Sequence, residues 1–206
     1  MATTATPMGA EPVGTTSASG SFSGKTRHIP IASGYATSIF YGDFVKLVDN
    51  GATTTIAKDT GTATLTPIGI FLGVRYTDPN TNQLTFAQSY NQPIAASDIE
   101  AIVLDDPNVE FRIQADGAVT KDAYGKNAGV VQTAGSADIG RSKNALDAST
   151  VATTNTLPLR ILGFVESGES TAGDAYTDLI VKFNAGMHAY DKACLLYTSP
   201  SPRDRG

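Results

Sequence analysis

Cysteine, histidine and tryptophan are almost missing from this chain. Its 206 residues include one cysteine, Cys194, two histidines, His28 and His188, and no tryptophan. A single cysteine cannot form a disulfide within the chain, and one cysteine with two histidines cannot complete a Cys/His zinc site. We therefore expect no metal, no cofactor and no disulfide framework.

Charge is also scarce, and its sign is negative. Charged residues make up 17% of the chain, the formal net charge is −5, and lysines and arginines are scattered singly. Contacts to nucleic-acid phosphates need clustered positive charge. No apolar run approaches the roughly 18 residues of a membrane span, and the N-terminus lacks the basic and apolar regions of a secretory signal. We expect neither a nucleic-acid partner nor a membrane, and synthesis in a cytoplasm.

The N-terminal stretch is of low complexity. Alanine, threonine, serine, glycine and proline dominate residues 1–24, where Glu11 is the only charged side chain. Such a composition cannot bury enough apolar surface to fold alone, so residues 1–27 are predicted to be a flexible arm. Three isolated apolar residues are its candidate contacts with another subunit: Met8, Val13 and Phe22. A frayed terminus without a partner is the other interpretation.

Residues 28–190 are predicted to form one all-β domain, a compact barrel or sandwich of about ten short strands. Short runs rich in Val, Ile, Thr, Phe and Tyr alternate with turn signals throughout this region. Asn50-Gly51 predicts one hairpin, and Asp105-Asp106-Pro107-Asn108 predicts a second between "IEAIVL" and "VEFRIQ". Pro30 favours an edge position for the first strand. "RSKNALDAST" is predicted to be a helical turn or a loop.

No motif in the chain matches a known catalytic spacing. "GSFSGKT" at residues 20–26 has three residues between its first glycine and the Gly-Lys-Thr, where a phosphate-binding loop needs four. His28 and His188 are the only candidate bases for a serine nucleophile, and both are predicted to be surface or interface residues. The aromatic residues of the strand patterns are predicted to lie in the core. They are Phe40, Tyr41, Phe44, Phe71, Tyr76 and Phe164.

Carboxylates are the remaining candidates for chemistry. Asp105, Asp106 and Asp116 could bind a hard cation, but their spacing is not that of a Ca²⁺-binding EF-hand loop. Asp and Asn are also the common turn formers, and Asp43 and Asp59 have similar settings, so turn roles are favoured for all of them. The scarcity of reactive side chains favours a structural or binding protein, not an enzyme, with no catalytic residues.

The C-terminal segment differs from the rest of the chain. Residues 191–206 form a separate tail, in which "CLLYTSPSPRD" at residues 194–204 resembles a translated sequencing-library adapter. We therefore interpret residues 194–206 as a sequencing artefact and exclude them from fold reasoning.

Two phrases carry a resemblance to a known group of proteins. "SGYATSIFYGDFVKLVDNG", followed by "TPIGIFLGVRYTDP", resembles virion structural proteins of marine tailed phages and, more loosely, lambda-type head decoration proteins. "RSKNALDASTVATTNTLPLRILGFV" and "GDAYTDLIVKFNAGMHAY" are similar to the marine phage group as well.

The resemblance implies a virion protein made in the host cytoplasm. It implies binding to the major capsid protein on the outer capsid surface, as a homotrimer that clamps neighbouring capsid subunits, with the N-terminal arm as anchor. The alternatives are a tail-tube, head–tail joining or fibre-associated component, a β-barrel glycan hydrolase using a carboxylate pair, and a sugar-binding module.

Overall fold

The computed structural model describes residues 4–16, 24–49, 51 and 53–191. Within them the chain forms twelve strands and one short 3-10 helix at Lys121–Ala123. The strands are β1 (Glu11–Thr15), β2 (Arg27–Pro30), β3 (Phe44–Asp49), β4 (Thr54–Lys58), β5 (Gly69–Thr77), β6 (Leu84–Ala87), β7 (Glu100–Leu104), β8 (Val109–Gln114), β9 (Asn127–Val131), β10 (Ala145–Ala152), β11 (Leu159–Phe164) and β12 (Asp178–Phe183). None of the described helical residues belongs to a segment long and apolar enough to cross a membrane.

The strands form two antiparallel six-stranded sheets in a β-sandwich-like arrangement, which confirms the predicted all-β class. Sheet A has the order β1-β8-β12-β11-β9-β10. Sheet B has the order β2-β7-β5-β3-β4, with β6 paired to β5 beside β3. Sheet B curls so far that Ile31, directly after β2, forms a bridge with Ile56 of β4. Strands at opposite ends of the sheet therefore meet.

Two hydrophobic clusters fill the fold, because the strands of sheet B carry apolar residues on both faces. Phe71 and Val103 face the inside of the curled sheet B and belong to one cluster. Phe44, Ile70 and Leu104 lie side by side on β3, β5 and β7, face outward from sheet B, and pack into the cluster of sheet A. We call these three residues the covered row; each is fully buried.

The local predictions divide into confirmed and incorrect ones. Asn50-Gly51 does separate two paired strands, β3 and β4. Pro30 does end an edge strand, β2. The first four residues of "RSKNALDAST" lie outside any strand, as the loop prediction expects, but the rest is neither a helical turn nor a loop, because Ala145–Ala152 form β10 and pair with β9. After Leu146 this strand consists of small and polar residues apart from Val151, and its burial does not alternate, so the sequence shows no strand period there.

The second predicted hairpin is wrong. β7 belongs to sheet B and β8 to sheet A, so residues 105–108 carry the chain from one sheet to the other. Asp105 in this connection is almost fully buried and accepts a hydrogen bond from the Tyr190 hydroxyl, 2.8 Å away. A turn signal marks a change of direction, but it does not say whether the flanking strands pair.

Candidate functional site

The N-terminal segment differs from the predicted free arm over residues 4–16. β1 is the edge strand of sheet A and pairs with β8, and Ala10 is fully buried in the cluster of sheet A. A short strand with few apolar residues gains its stability from the sheet it joins, which composition alone does not reveal. Two of the predicted contact residues lie here and are exposed, Met8 by 47% and Val13 by 49%. Phe22 lies outside the described residues.

Close backbone contact fixes this segment to the domain. The Ala10 N–H donates to the Gly42 carbonyl oxygen at 3.0 Å. Gly9 has a φ of +74°, and a Cβ at this position would lie 2.6 Å from the Gly42 oxygen and from the Ser142 Cβ. Only glycine tolerates both the conformation and the distance. Met8 and Val13 are therefore presented from an anchored backbone.

Charged side chains hold the same segment at its surface. Arg141 forms an ion pair with Glu11 and lies over the Tyr41 ring, with the guanidinium carbon 5.1 Å from the ring centroid. Its Nη1 also lies 3.6 Å from the Met8 sulfur. Tyr41 is only half-buried, so its predicted core position is incorrect. A cation, an aromatic ring and a thioether thus form one mixed surface.

A groove of about 480 Å³ runs beside this surface, between residues 4–11 and strands β8 and β12. The Thr6 N–H donates to the Gln114 side-chain oxygen at 2.7 Å and closes one end. Arg112 and Asp178 form an ion pair of 2.7 Å in its wall. The groove is polar, and both charges of that pair are already satisfied.

A buried polar cluster lies under the segment. Asp43 is fully buried and its carboxylate accepts hydrogen bonds from the Ser142 hydroxyl at 2.6 Å and the Phe40 N–H at 2.9 Å. Lys58 pairs with the same carboxylate at 2.9 Å. The turn role predicted for Asp43 is thus only part of its function, because it joins β4 to the segment before β10. Such buried pairs are costly to break once formed.

The second exposed surface is the open end of sheet B. Leu84 and Phe86 project from β6 and are 57% and 65% exposed. Phe86 lies beside Arg75 of β5, and Arg75 lies beside Glu100 of β7. We call Phe86, Arg75 and Glu100 the open row, since it lies on the same face of sheet B as the covered row.

Ion pairs organise the open row. The Arg75 Nε donates to Glu100 at 2.7 Å, and His28 of β2 approaches the same carboxylate oxygen at 3.3 Å. The hydrogen bond from Arg75 holds the pKa of Glu100 below its usual range. His28 therefore lies at the surface, as predicted. Leu84 and Phe86 were not among the contact residues predicted from the sequence, although they alternate along the strand.

The second histidine is not at the surface. His188 is fully buried between the rings of Phe183 and Tyr190, whose centroids lie 5.3 and 5.2 Å away. Its Nδ1 accepts the Tyr190 N–H at 3.2 Å. Burial lowers the pKa of His188, so the ring is held neutral. The predicted surface position is wrong because the chain after β12 folds back over Phe183.

Each of the three candidate carboxylates has partners of its own, and they do not share one site. Asp105 pairs with Arg27 and Tyr190, Asp106 accepts the N–H of Asn108 at 2.9 Å, and Asp116 accepts the N–H of Ala148 at 2.9 Å. In the part of the chain that the structure describes, no group of three or more His, Cys, Asp or Glu side chains could hold a metal ion.

The phosphate-loop-like segment lies partly outside the described residues, and residues 192–206 of the tail lie entirely outside them. Comparison with known proteins gives no matching family model, no similar curated protein and no similar solved structure.

Proposed function

We propose that this chain is a non-enzymatic virion structural protein of a tailed phage, and specifically a decoration protein that binds the major capsid protein on the outer capsid surface. The observation that carries the proposal is the presentation of Met8 and Val13. Two exposed apolar side chains lie on a segment whose backbone is fixed by Gly9, Gly42 and the pairing of β1 with β8.

Anchoring makes these side chains effective contacts. A rigid segment loses little conformational entropy on binding, so more of the contact energy remains as affinity. Arg141 lies beside Met8 and pairs with Glu11, so the surface has a polar border on the side of Met8. A polar rim around apolar anchors is the usual anatomy of a specific protein interface.

The proposed role needs no catalytic chemistry. A protein that binds only the expanded capsid lattice stabilises that lattice by mass action. If three copies act together at a local three-fold position, weak individual contacts combine into a much stronger one. The resemblance of "SGYATSIFYGDFVKLVDNG" and the phrases after it to phage virion proteins supports the same role.

The test is co-sedimentation of the full chain with expanded head shells of the phage that encodes it. We compare the wild type with the double variant Met8→Gln, Val13→Thr, and with Tyr124→Ser as the control, since Tyr124 is 68% exposed elsewhere. Deleting residues 1–24 is a poorer test, because it also removes β1 from sheet A and Ala10 from the core.

We expect saturable binding by the wild type and the control, and binding weaker by on the order of tenfold or more in the double variant. Equal binding by the folded double variant would overturn the proposed contact. A wild type that does not bind the shells would overturn the decoration role and favour a tail or joining position.

A further inference from the structure

Edge strands normally carry features that prevent pairing with another chain. Four of the five edges in the described parts of the two sheets have them. β1 has Glu11, Pro12 and a bulge, β2 has Arg27 and Pro30, β4 ends at Lys58, and β10 has Asp147 and a bulge. β6, with the sequence Leu-Thr-Phe-Ala, has no charge, no proline and no bulge.

Backbone hydrogen bonds fix the chain at both ends of β6. In the preceding turn, the Asp78 carbonyl accepts the N–H of Asn82 at 2.8 Å, and the Asp78 N–H donates to the Gln83 oxygen at 2.9 Å. After β6, Tyr90 is fully buried and exchanges two backbone hydrogen bonds with Ile39. The strand therefore needs little ordering to accept a partner.

We propose that β6 pairs antiparallel with β6 of a second copy of this chain, about a two-fold axis beside Thr85. Sheet B then continues from one copy into the other. Because opposed residues of antiparallel strands share a face, this register places Leu84 opposite Phe86 of the second copy, and Phe86 opposite its Leu84. Aliphatic–aromatic cross-strand pairs of this kind stabilise sheets.

The mutual pairing of Leu84 with Phe86 makes this edge complementary to itself, and the lack of charge on β6 permits a second copy as the occupant. Two-fold pairing of a charged edge brings like charges towards each other, as with Glu11 of β1 or Asp147 of β10. β6 brings none, and the charge of Arg75 beside Phe86 is already paired with Glu100.

Sedimentation velocity of the full chain tests the pairing. A contact of two four-residue strands belongs to the small, transient class, so the series extends to about 1 mM. We expect a concentration-dependent dimer and at least about a tenfold increase of its dissociation constant in Phe86→Lys, which would place two lysines in the contact. Val13→Lys is the matched control, because Val13 is a similarly exposed apolar residue on another edge.

A wild type that stays monomeric throughout, or a larger assembly unaffected by Phe86→Lys, would overturn the pairing. The proposal is independent of the capsid-binding role. Val13→Lys is expected to weaken shell binding without changing the dimer, and Phe86→Lys is expected to leave the single-copy shell contact intact.

Engineered cysteines test the register in a Cys194→Ser background. Thr85 faces Thr85 of the second copy, so Thr85→Cys brings two Cα atoms to about 5 Å, within disulfide range. Two copies of Ala87→Cys would lie about 13 Å apart along the strands. Rapid oxidation to a dimer by Thr85→Cys but not by Ala87→Cys supports the register. The opposite result would overturn it.

Discussion

The covered row and the open row lie on one face of sheet B and differ in what surrounds them. Phe44, Ile70 and Leu104 are wholly apolar and lie under sheet A. The open row combines exposed Phe86 with the half-buried ion pair of Arg75 and Glu100. The same β5 and β7 strands therefore provide a core at one end and an exposed mixed surface at the other.

This difference shows that exposure of an apolar side chain is not enough to identify a contact surface. Leu47 and Val48 are also exposed on β3, but they lie between Lys46 and Asp49, and charged residues on a strand discourage its pairing with another chain. Leu84 and Phe86 combine exposure with an open strand edge, and Met8 and Val13 combine it with an anchored backbone. Each combination needs the tertiary arrangement.

The largest difference in stability is expected between the two rows when the phenylalanine of each is replaced by alanine. Phe44→Ala should lower the free energy of unfolding by about 3–5 kcal/mol, because it leaves a cavity beside Phe183, whose ring centroid is 6.1 Å away. Phe86→Ala should change it by at most about 0.5 kcal/mol, as exposed sites do. Urea unfolding of dilute protein measures both, and equal losses would contradict the distinction.

A smaller loss of stability is expected from a substitution at Gly9, where the N-terminal segment packs against the domain. Gly9→Ala should destabilise the fold by about 2–4 kcal/mol. The alanine would have to adopt a positive φ, and its Cβ would lie only 2.6 Å from the Gly42 carbonyl oxygen. Gly34→Ala is the control, with a φ of +69° and open space around the added carbon. It should cost about 1 kcal/mol, which isolates the cost of the backbone conformation.

Equal losses of unfolding free energy in Gly9→Ala and Gly34→Ala, in the same urea experiment, would show that residues 8–10 are not closely packed against Gly42. The anchoring of Met8 would then lose its support.

The smallest effect on stability is expected from pH, through the buried ring of His188. The pKa of His188 is lowered in the folded state, so the unfolded chain binds a proton more readily. The contribution of neutral His188 to stability is therefore fully present above pH 6.5, the ordinary pKa of histidine, and decreases as pH falls below that value. Protonation of Nδ1 would also remove the acceptor of the Tyr190 N–H.

Unfolding free energies of wild type and His188→Gln at pH 7.5, 6.5 and 5.5 measure this effect. The wild type should lose stability over this range and the variant should lose less. A wild-type slope in His188→Gln would assign the pH dependence to other groups.

Much of the strand pattern follows from the sequence. Short runs of β-branched and aromatic residues between turn signals predicted the all-β class, and Asn50-Gly51 predicted the hairpin of β3 and β4. The candidate site was only partly accessible. Met8 and Val13 stand out in the sequence as isolated apolar residues, whereas Leu84 and Phe86 are not among the predicted contact residues.

What the sequence determined by itself is the period of its strands and the position of most turns, because both depend on neighbouring residues. The tertiary structure alone decided that β7 and β8 separate into two sheets, that β1 joins an edge, and that His188 is buried. These outcomes depend on contacts between distant residues, such as Asp105 with Tyr190 or Gly9 with Gly42. The same alternation can face solvent or a second sheet, and only packing distinguishes Phe86 from Phe44.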